Sequence, residues 1–243
     1  MAALYDTIGV NYADLRQPDA GIAAAILGAL GEACSVVNVG AGAGSYEPED
    51  RRVVAVEPSR TMIAKRQPGA ATAVCASAEA LPFADGAFEA AMAVLTVHHW
   101  PDQTAGLTEL RRVARGRVAI LTFDPAVRPW LTDYLPGLAA LDEAQMPPIA
   151  AYGAVLGPVR IEPVHIPHDC SDGFLYAYWR RPQAYLEARI RSGSSSFWAL
   201  GGALGPGLKQ LEADLESGAW ERRYGDLMAA EHYDAGYRLV IAD

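Results

Sequence analysis

One stretch limits the possible fold more than any other: an apolar run that ends in three alternating glycines, at residues 36–45. Its first residues are mostly β-branched, which is typical of a parallel strand buried on both faces. Gly40, Gly42 and Gly44 lack the Cβ atoms that would keep the backbone away from a ligand. The stretch predicts a strand followed by a nucleotide-type binding turn, although a turn that needs glycine only for positive φ has the same pattern.

Two later elements make ligand binding the better interpretation. Residues 52–57 form a second apolar strand that ends on Glu57, seventeen positions after Gly40. A carboxylate at this tip of a doubly wound sheet can accept both hydroxyl hydrogens of an adenosine ribose. Each such charge-assisted hydrogen bond contributes about 1.5–3 kcal/mol. Residues 76–89 then place small residues and Glu79 just before the next apolar strand.

These motifs resemble the class I S-adenosylmethionine-dependent methyltransferases, and among them the small-molecule group that includes the ubiquinone and menaquinone biosynthesis methyltransferases. The resemblance rests on residues 39–44, residues 55–59 with Met62, residues 78–83 and residues 95–102. It implies an α/β, Rossmann-like fold with a seven-stranded, mostly parallel sheet and helices on both faces. It also implies S-adenosyl-L-methionine as the cofactor and methyl transfer as the activity.

The same resemblance implies the residues that surround the cofactor. They are Tyr12, Arg16, Gly40, Ala41, Gly42, Gly44, Glu57, Pro58, Ser59, Met62, Ala78, Glu79, Ala80, Leu95 and Thr96. Tyr5 and Tyr12 are candidates for a lid, because the family's N-terminal segment often folds over the cofactor. Arg16 could bind the methionine carboxylate through two parallel hydrogen bonds, or it could be a solvated residue of an amphipathic segment.

The sequence departs from the family pattern at two points. Asn38 stands where the family usually has an acidic residue, so binding of the methionine amino group could be looser. Only residues 45–52 separate the glycine turn from the second strand, whereas a crossover with its helix needs about 10–12 residues. We therefore predict a shortened first crossover helix. The runner-up is a nicotinamide-dependent oxidoreductase. Its dinucleotide site would need that helix and a third glycine or alanine at the position of Ser45, so these residues weigh against it.

His98 and His99 are the candidate catalytic residues. They follow a predicted fourth strand at residues 87–95, in the crevice where open α/β sheets bind ligands. Imidazole has an ordinary pKa near 6.5 and can act as a base at neutral pH. Alternatively, one ring packs under the turn and the other caps the helix that begins at Pro101. The sequence does not choose between the two histidines.

Beyond residue 125 the chain becomes rich in proline, glycine and aromatic residues. The last two strands are predicted at residues 159–166 and 236–241, with about seventy residues of mostly helical pattern between them. This helical insertion between the last two strands is too long for a hairpin, so we predict that it covers the carboxyl ends of the strands and selects the substrate. Serine-rich residues 192–196 predict a mobile lid.

Residues beyond 125 also supply the candidate substrate contacts. They are Trp130, Tyr134, His168, Phe174, Tyr178 and Trp198. The alternative for each aromatic ring is that it only attaches the insertion to the sheet. We expect a single methyltransferase domain, with its core at residues 17–125, 159–167 and 236–243 and its cap at residues 126–158 and 168–233.

Composition excludes several other classes of protein. The net charge is −9 with no basic run, so a nucleic-acid partner is not expected and a small-molecule substrate is favoured. The three cysteines are far apart and indicate neither a metal site nor a disulfide framework. Without a signal peptide pattern or an apolar run of about 20 residues, a cytoplasmic protein is expected. A non-catalytic S-adenosylmethionine-binding protein is the alternative from another class, and it would lack a substrate cavity.

Overall fold

The computed structural model describes residues 15–243. The predictions made for Tyr5 and Tyr12 lie outside the described residues. Strand and helix labels below follow the chain from Leu15 onwards.

The described residues form nine strands: β1 Ser35–Val39, β2 Arg52–Val56, β3 Thr72–Val74, β4 Ala90–Val94, β5 Val118–Phe123, β6 Val159–Pro163, β7 Ile166–Pro167, β8 His232–Tyr233 and β9 Tyr237–Ala242. The α-helices of the same residues are α1 Ala20–Leu30, α2 Arg60–Ala64, α3 Gln103–Val113, α4 Leu131–Tyr134, α5 Pro136–Gln145, α6 Ile149–Leu156, α7 Ala188–Arg191, α8 Ser195–Leu200, α9 Leu204–Glu216 and α10 Ala219–Tyr224. Short 3-10 helices occupy Val97–His99, Pro182–Leu186, Gly201–Ala203 and Gly225–Ala229.

Seven of these strands form one sheet in the order β3-β2-β1-β4-β5-β9-β6. The pairs from β3 to β5 are parallel. Strand β9 is antiparallel to both of its neighbours, β5 and β6. The predicted Rossmann-like sheet of seven mostly parallel strands is therefore confirmed.

The sheet is covered on both faces because its central strands are apolar on both faces. All five residues of β1 are buried. Val36 belongs to one apolar cluster, and Val37 and Val39 belong to a second, as the alternation of side chains along a strand requires. Helix α1 packs against β4, β5 and β9, whereas α3 contacts β4 and α6 contacts β6. Each face thus has its own hydrophobic core.

The connection from β1 to β2 contains no helix, which confirms the predicted shortening of the first crossover. The backbone N–H groups of Gly40 and Ala41 donate to the Val56 carbonyl at 2.9 and 3.0 Å. Those two bonds hold the glycine turn against the tip of β2. The turn and the β2 carboxylate are consequently brought together by the sheet itself.

The insertion between β6 and β9 begins and ends in a two-stranded ribbon, β7 with β8. The predicted sixth strand, residues 159–166, is therefore too long: the sheet strand ends at Pro163, and Ile166 pairs with Tyr233 instead. Proline has no backbone N–H to donate to a neighbouring strand, so Pro163 is a suitable end point. Helices α7 to α10 lie within the insertion, which confirms that it is mainly helical.

Candidate active site

A cavity of about 430 Å³, the first cavity, lies at the carboxyl ends of β1, β2 and β4. Most of the predicted cofactor residues line it. They are Arg16, Gly40, Ala41, Gly42, Glu57, Pro58, Met62, Ala78, Glu79, Leu95 and Thr96, together with the candidate catalytic residues His98 and His99. Asn38, Ser45, Tyr46 and Trp100 line it as well. The glycine turn, the β2 tip and the turn after β4 therefore form one concave surface.

Glu57 is buried at the tip of β2, with 7% of its surface exposed. One carboxylate oxygen accepts the N–H of Gly42 at 2.9 Å, and the other accepts the N–H of Ser59 at 2.8 Å. A carboxylate oxygen can accept more than one hydrogen bond. Glu57 therefore fixes the shape of the turn and retains acceptor capacity on its cavity side.

Gly40 and Gly42 both adopt left-handed φ angles, +71° and +52°. A Cβ at Gly40 would lie 2.1 Å from the hydroxyl oxygen of Thr96, so no larger residue fits there. A Cβ at Gly42 would meet only the Met62 methyl, at 3.5 Å. Gly40 is thus required by packing, whereas Gly42 is adjacent to open space in the first cavity.

Asn38 reaches the first cavity from the end of β1 with an unpaired acceptor. Its amide nitrogen donates to Glu47 at 3.1 Å, and Glu47 pairs with Arg66 at 2.5 Å. Its amide oxygen is buried and has no hydrogen-bond partner among the described residues. Leaving such an acceptor unpaired costs about 1–3 kcal/mol. A ligand that donates a hydrogen bond at this point would satisfy it.

The backbone is strained at the same cavity. Tyr46 and Leu95 are the non-glycine residues of the described chain that adopt positive φ, at 62° and 49°. Each conformation costs about 1–2 kcal/mol for an L-residue. Both residues line the first cavity, and strained backbone is concentrated at functional sites in proteins. No sequence pattern marks these two positions.

Three predicted cofactor residues lie elsewhere. Gly44 faces Arg66 and Glu47, Ser59 is the N-cap of α2 and accepts the Met62 N–H at 3.2 Å, and Ala80 is exposed. They follow the motif in sequence, but the chain turns away from the cavity at each position. These three residues are therefore not part of the wall of the first cavity.

The rings of His98 and His99 lie next to each other, with a centroid distance of 3.9 Å and an angle of 49° between the ring planes. Both residues are half-buried, and both line the first and second cavities. Burial, with help from Arg16, lowers the pKa of His99 to about 4. Burial and the neighbouring His99 lower the pKa of His98 well below its ordinary value. Both imidazoles are therefore neutral at pH 7 and can accept hydrogen bonds.

Arg16 is held by the insertion. Its guanidinium binds Asp172 through two hydrogen bonds of 2.5 and 3.3 Å, and the Tyr46 hydroxyl donates to the same carboxylate at 2.9 Å. The Asp172 side chain is 1% exposed. The sequence predicts Arg16 at the cofactor carboxylate, and the structure gives Arg16 a carboxylate partner within the protein.

A second cavity of about 70 Å³ lies between the turn after β4 and the insertion. Arg16, Leu95, His98 and His99 line both cavities. The remaining walls are Phe123, Asp142, Met146, Phe174, Leu175, Tyr176, Gly193, Ser194, Ser195, Ser196 and Tyr237. The insertion thus contributes to the site, and the serine-rich segment predicted as a lid forms part of the wall.

Phe174 alone of the six predicted substrate residues lines this second cavity. Trp130 and Tyr134 are buried in an aromatic cluster, where Trp130 donates to the Trp179 carbonyl at 2.9 Å and contacts Trp220 edge-to-face at 5.3 Å. Tyr134 donates to Asp214 at 2.7 Å. These rings therefore pack against the insertion. This is the alternative role predicted from the sequence for aromatic residues beyond residue 125.

The other three predicted substrate residues also lie outside both cavity walls. His168 faces Glu231 at 3.3 Å, the Arg181 guanidinium covers the Tyr178 ring at 4.7 Å, and Trp198 is 53% exposed. Trp198 comes after the serine-rich segment in the chain and faces solvent, so it does not cover the second cavity. None of these three side chains is positioned to contact a ligand in either cavity.

Asp142 and Tyr176, which are not among the residues predicted from the sequence, lie in the wall of the second cavity. Asp142 occurs in the helical run PGLAALDEAQ, where an acidic residue ordinarily faces solvent. It is instead 4% exposed and accepts the Tyr176 hydroxyl at 2.9 Å. Since Glu143 and Gln145 of the same helix are exposed, a helical projection of α5 could have indicated this inward position.

Neither a metal centre nor a membrane helix occurs among residues 15–243. Over that range, no group of three or more histidine, cysteine, aspartate or glutamate residues is arranged to hold a metal ion. No helix there is long and apolar enough to cross a membrane.

Known proteins share both the sequence motifs and the fold. Residues 37–121 match a family model described as a methyltransferase domain. The crystal structure of a candidate methyltransferase from an antibiotic biosynthesis pathway of Anabaena variabilis ATCC 29413 is 33% identical, with a TM-score of 0.86, over 94% of this chain and 99% of that chain. No curated protein sequence matches.

Two more distant structures share the fold. Geranyl diphosphate C-methyltransferase from Streptomyces coelicolor A3(2) is 17% identical, with a TM-score of 0.52, over 91% of this chain and 76% of that chain. A candidate methyltransferase from Bacillus halodurans C-125 is 13% identical, with a TM-score of 0.52, over 90% of this chain and 96% of that chain.

The fold and the first cavity define a class I methyltransferase site. The chain belongs to the S-adenosylmethionine-dependent methyltransferases. It is an enzyme with S-adenosylmethionine as its cofactor, so neither a nicotinamide-dependent oxidoreductase nor a non-catalytic binding protein is retained. The finer resemblance to the ubiquinone and menaquinone group stays a prediction.

Proposed function

We propose that this protein transfers a methyl group from S-adenosylmethionine to a small, aromatic or otherwise apolar molecule. One observation supports this proposal above the others: the first and second cavities share Arg16, Leu95, His98 and His99 as walls. A donor in the larger cavity and an acceptor in the smaller one would meet at these residues. The aromatic walls of the second cavity suit an apolar acceptor.

The residues of the first cavity fit the cofactor. Glu57 retains acceptor capacity for the ribose hydroxyls, and Gly42 leaves room for close approach of the ligand. The unpaired amide oxygen of Asn38 suits the methionine ammonium, which is a hydrogen-bond donor. Asn38 therefore keeps the hydrogen-bonding role expected of an acidic residue there, without its charge.

S-adenosylmethionine, when bound, supplies a methyl group on a positively charged sulfur. The chain's own contribution is to hold the acceptor in line with that methyl group and to exclude water. His99, with its pKa lowered to about 4, is a weak base. We assign His98 and His99 the role of accepting a hydrogen bond from the acceptor rather than removing its proton beforehand.

Calorimetry on the purified protein tests the proposal. S-adenosylhomocysteine, the demethylated product of the cofactor, should bind with a stoichiometry of one, and NAD⁺ should not bind. Mass spectrometry of small molecules released from the denatured protein should then identify an apolar ligand of low mass. Binding of NAD⁺ in place of S-adenosylhomocysteine would refute the assignment of the first cavity.

A further inference from the structure

Asp142 has an unusual position in the wall of the second cavity. Its side chain projects from α5 and the residue is 4% exposed. One carboxylate oxygen accepts the Tyr176 hydroxyl at 2.9 Å. Within residues 15–243, no donor lies within hydrogen-bond distance of the other oxygen. Part of a buried carboxylate is thus left facing the cavity.

The other buried carboxylates of the described chain have a donor on each of their two oxygens. Asp172 binds Arg16 and Tyr46. Asp19 accepts the N–H groups of Gly21, Ile22 and Ser171. Glu57 accepts two backbone N–H groups. Asp142 differs because one donor, the Tyr176 hydroxyl, binds one of its oxygens and leaves the other without a donor from the part of the chain that the structure describes.

An unpaired buried carboxylate is costly unless a cation or further donors reach it. Desolvation accordingly raises the pKa of Asp142 to about 6, and the charge of Arg128 only partly opposes this. Arg128 does not compensate directly, because its guanidinium bonds to Glu143 and to the carbonyls of Pro125 and Val127. A ligand in the second cavity can therefore supply the missing partner of Asp142.

The chemistry around Asp142 favours a cationic group as that partner. Aromatic rings form the neighbouring walls: Phe123 lies 5.2 Å from Tyr176, and Phe174 lies 4.7 Å from Tyr237, between centroids. Aromatic faces attract ammonium groups by about 0.5–2 kcal/mol. His98 and His99 are neutral, and the positive charge of Arg16 in the same wall is paired with Asp172. A carboxylate within aromatic walls thus suits an alkylammonium group.

We propose that Asp142 binds a protonated amino group of the acceptor, so that the substrate is a small aromatic amine-bearing molecule. The proposal rests on the proposed methyl transfer and specifies its acceptor. Asp142 lines the second cavity but not the first. The amino group is therefore an anchor remote from the methyl donor, and the atom that receives the methyl group lies towards His98 and His99.

The test uses three probes of the same shape on protein saturated with S-adenosylhomocysteine: benzylamine, benzyl alcohol and ethylbenzene. Calorimetry at pH 7.5 should give benzylamine at least tenfold higher affinity than either neutral probe. In Asp142→Asn this preference should disappear, whereas Tyr176 keeps an acceptor for its hydroxyl.

Asp214→Asn is the matched control, because Asp214 accepts the Tyr134 hydroxyl at 2.7 Å but lies outside both cavity walls. It should bind all three probes as the unmodified protein does. Failure of S-adenosylhomocysteine to bind would refute the proposed function itself. Normal S-adenosylhomocysteine binding with no preference for benzylamine, or with a preference that survives in Asp142→Asn, would overturn the assignment of Asp142 alone.

Discussion

Replacing Gly42 by valine tests whether the open space beside the glycine turn is the cofactor site. Gly42 has φ of +52°, a conformation that costs an L-residue about 1–2 kcal/mol. A Cβ there would make an ordinary contact of 3.5 Å with Met62. The unliganded Gly42→Val protein should therefore lose little more than this backbone cost in its free energy of unfolding.

The effect of Gly42→Val on affinity should be larger. Gly42 lines the first cavity, and its N–H is bonded to Glu57, so a branched side chain there competes for space with the ligand. Overpacking typically costs about 1–3 kcal/mol. That range corresponds to a loss of roughly 5- to 150-fold in affinity. We expect S-adenosylhomocysteine to bind at least tenfold more weakly.

Gly69→Val provides the control for backbone strain. Gly69 has φ of +89°, no atom lies within 4 Å of a Cβ at this position, and the residue is exposed. Calorimetry with S-adenosylhomocysteine and urea denaturation should be performed on both variants. Both should be destabilised, but only Gly42→Val should lose affinity. If Gly42→Val binds within threefold of the unmodified protein, the cofactor is not where we place it.

Glu57→Ala should destabilise the unliganded protein by about 3 kcal/mol or more in urea, because Gly42 and Ser59 each lose a charge-assisted hydrogen bond; an unchanged urea midpoint would contradict this. His99→Gln tests the neutral histidine, since the unfolded state takes up a proton near pH 6.5 but the folded state only near pH 4. The unmodified protein should therefore lose about 2 kcal/mol more than His99→Gln between pH 7 and pH 5. The raised pKa of Asp142 changes the free energy of unfolding in the opposite direction over this pH range, but Asp142 is present in both proteins and its effect cancels in the comparison. Parallel pH profiles of the two proteins would refute the assignment of a neutral His99.

The fold was predictable because its signals are local. The apolar run of β1 and the carboxylate at the tip of β2 depend only on spacing along the chain. The missing crossover helix follows from the few residues before Arg52. The Rossmann-like sheet and most of the first cavity can therefore be inferred from one sequence.

The second cavity was not predictable from the same signals. Its walls come from distant segments, such as Phe123, Asp142, Phe174 and Ser195, which only tertiary packing brings together. An aromatic residue beyond residue 125 has the same composition signal whether it binds a ligand or fills the core. Trp130, for example, fills the core. Burial of this ring stabilises the packing against Trp179 and Trp220, and Trp130 lines neither cavity.

Asp172→Asn tests whether the insertion also organises the cofactor site. Asp172 joins Arg16, which lines both cavities, to Tyr46 of the first crossover. Removing the charge while keeping the volume leaves the Arg16 guanidinium, 14% exposed, without its carboxylate. Breaking a buried pair typically costs about 3–5 kcal/mol. We expect a loss near 3 kcal/mol in the free energy of unfolding, together with weaker S-adenosylhomocysteine binding.

Tyr46→Phe separates the ion pair from the rest of this network. The Tyr46 hydroxyl donates to Asp172 at 2.9 Å and accepts the Asp19 N–H at 3.2 Å, so its removal should cost roughly 1–3 kcal/mol while Arg16 stays paired. Urea denaturation and calorimetry should therefore show Asp172→Asn losing affinity and Tyr46→Phe largely keeping it. Equal affinity in the unmodified protein and Asp172→Asn would mean that Arg16 supports only folding. Equal losses in both variants would mean that Tyr46, rather than the charge of Asp172, holds the cavity wall in place.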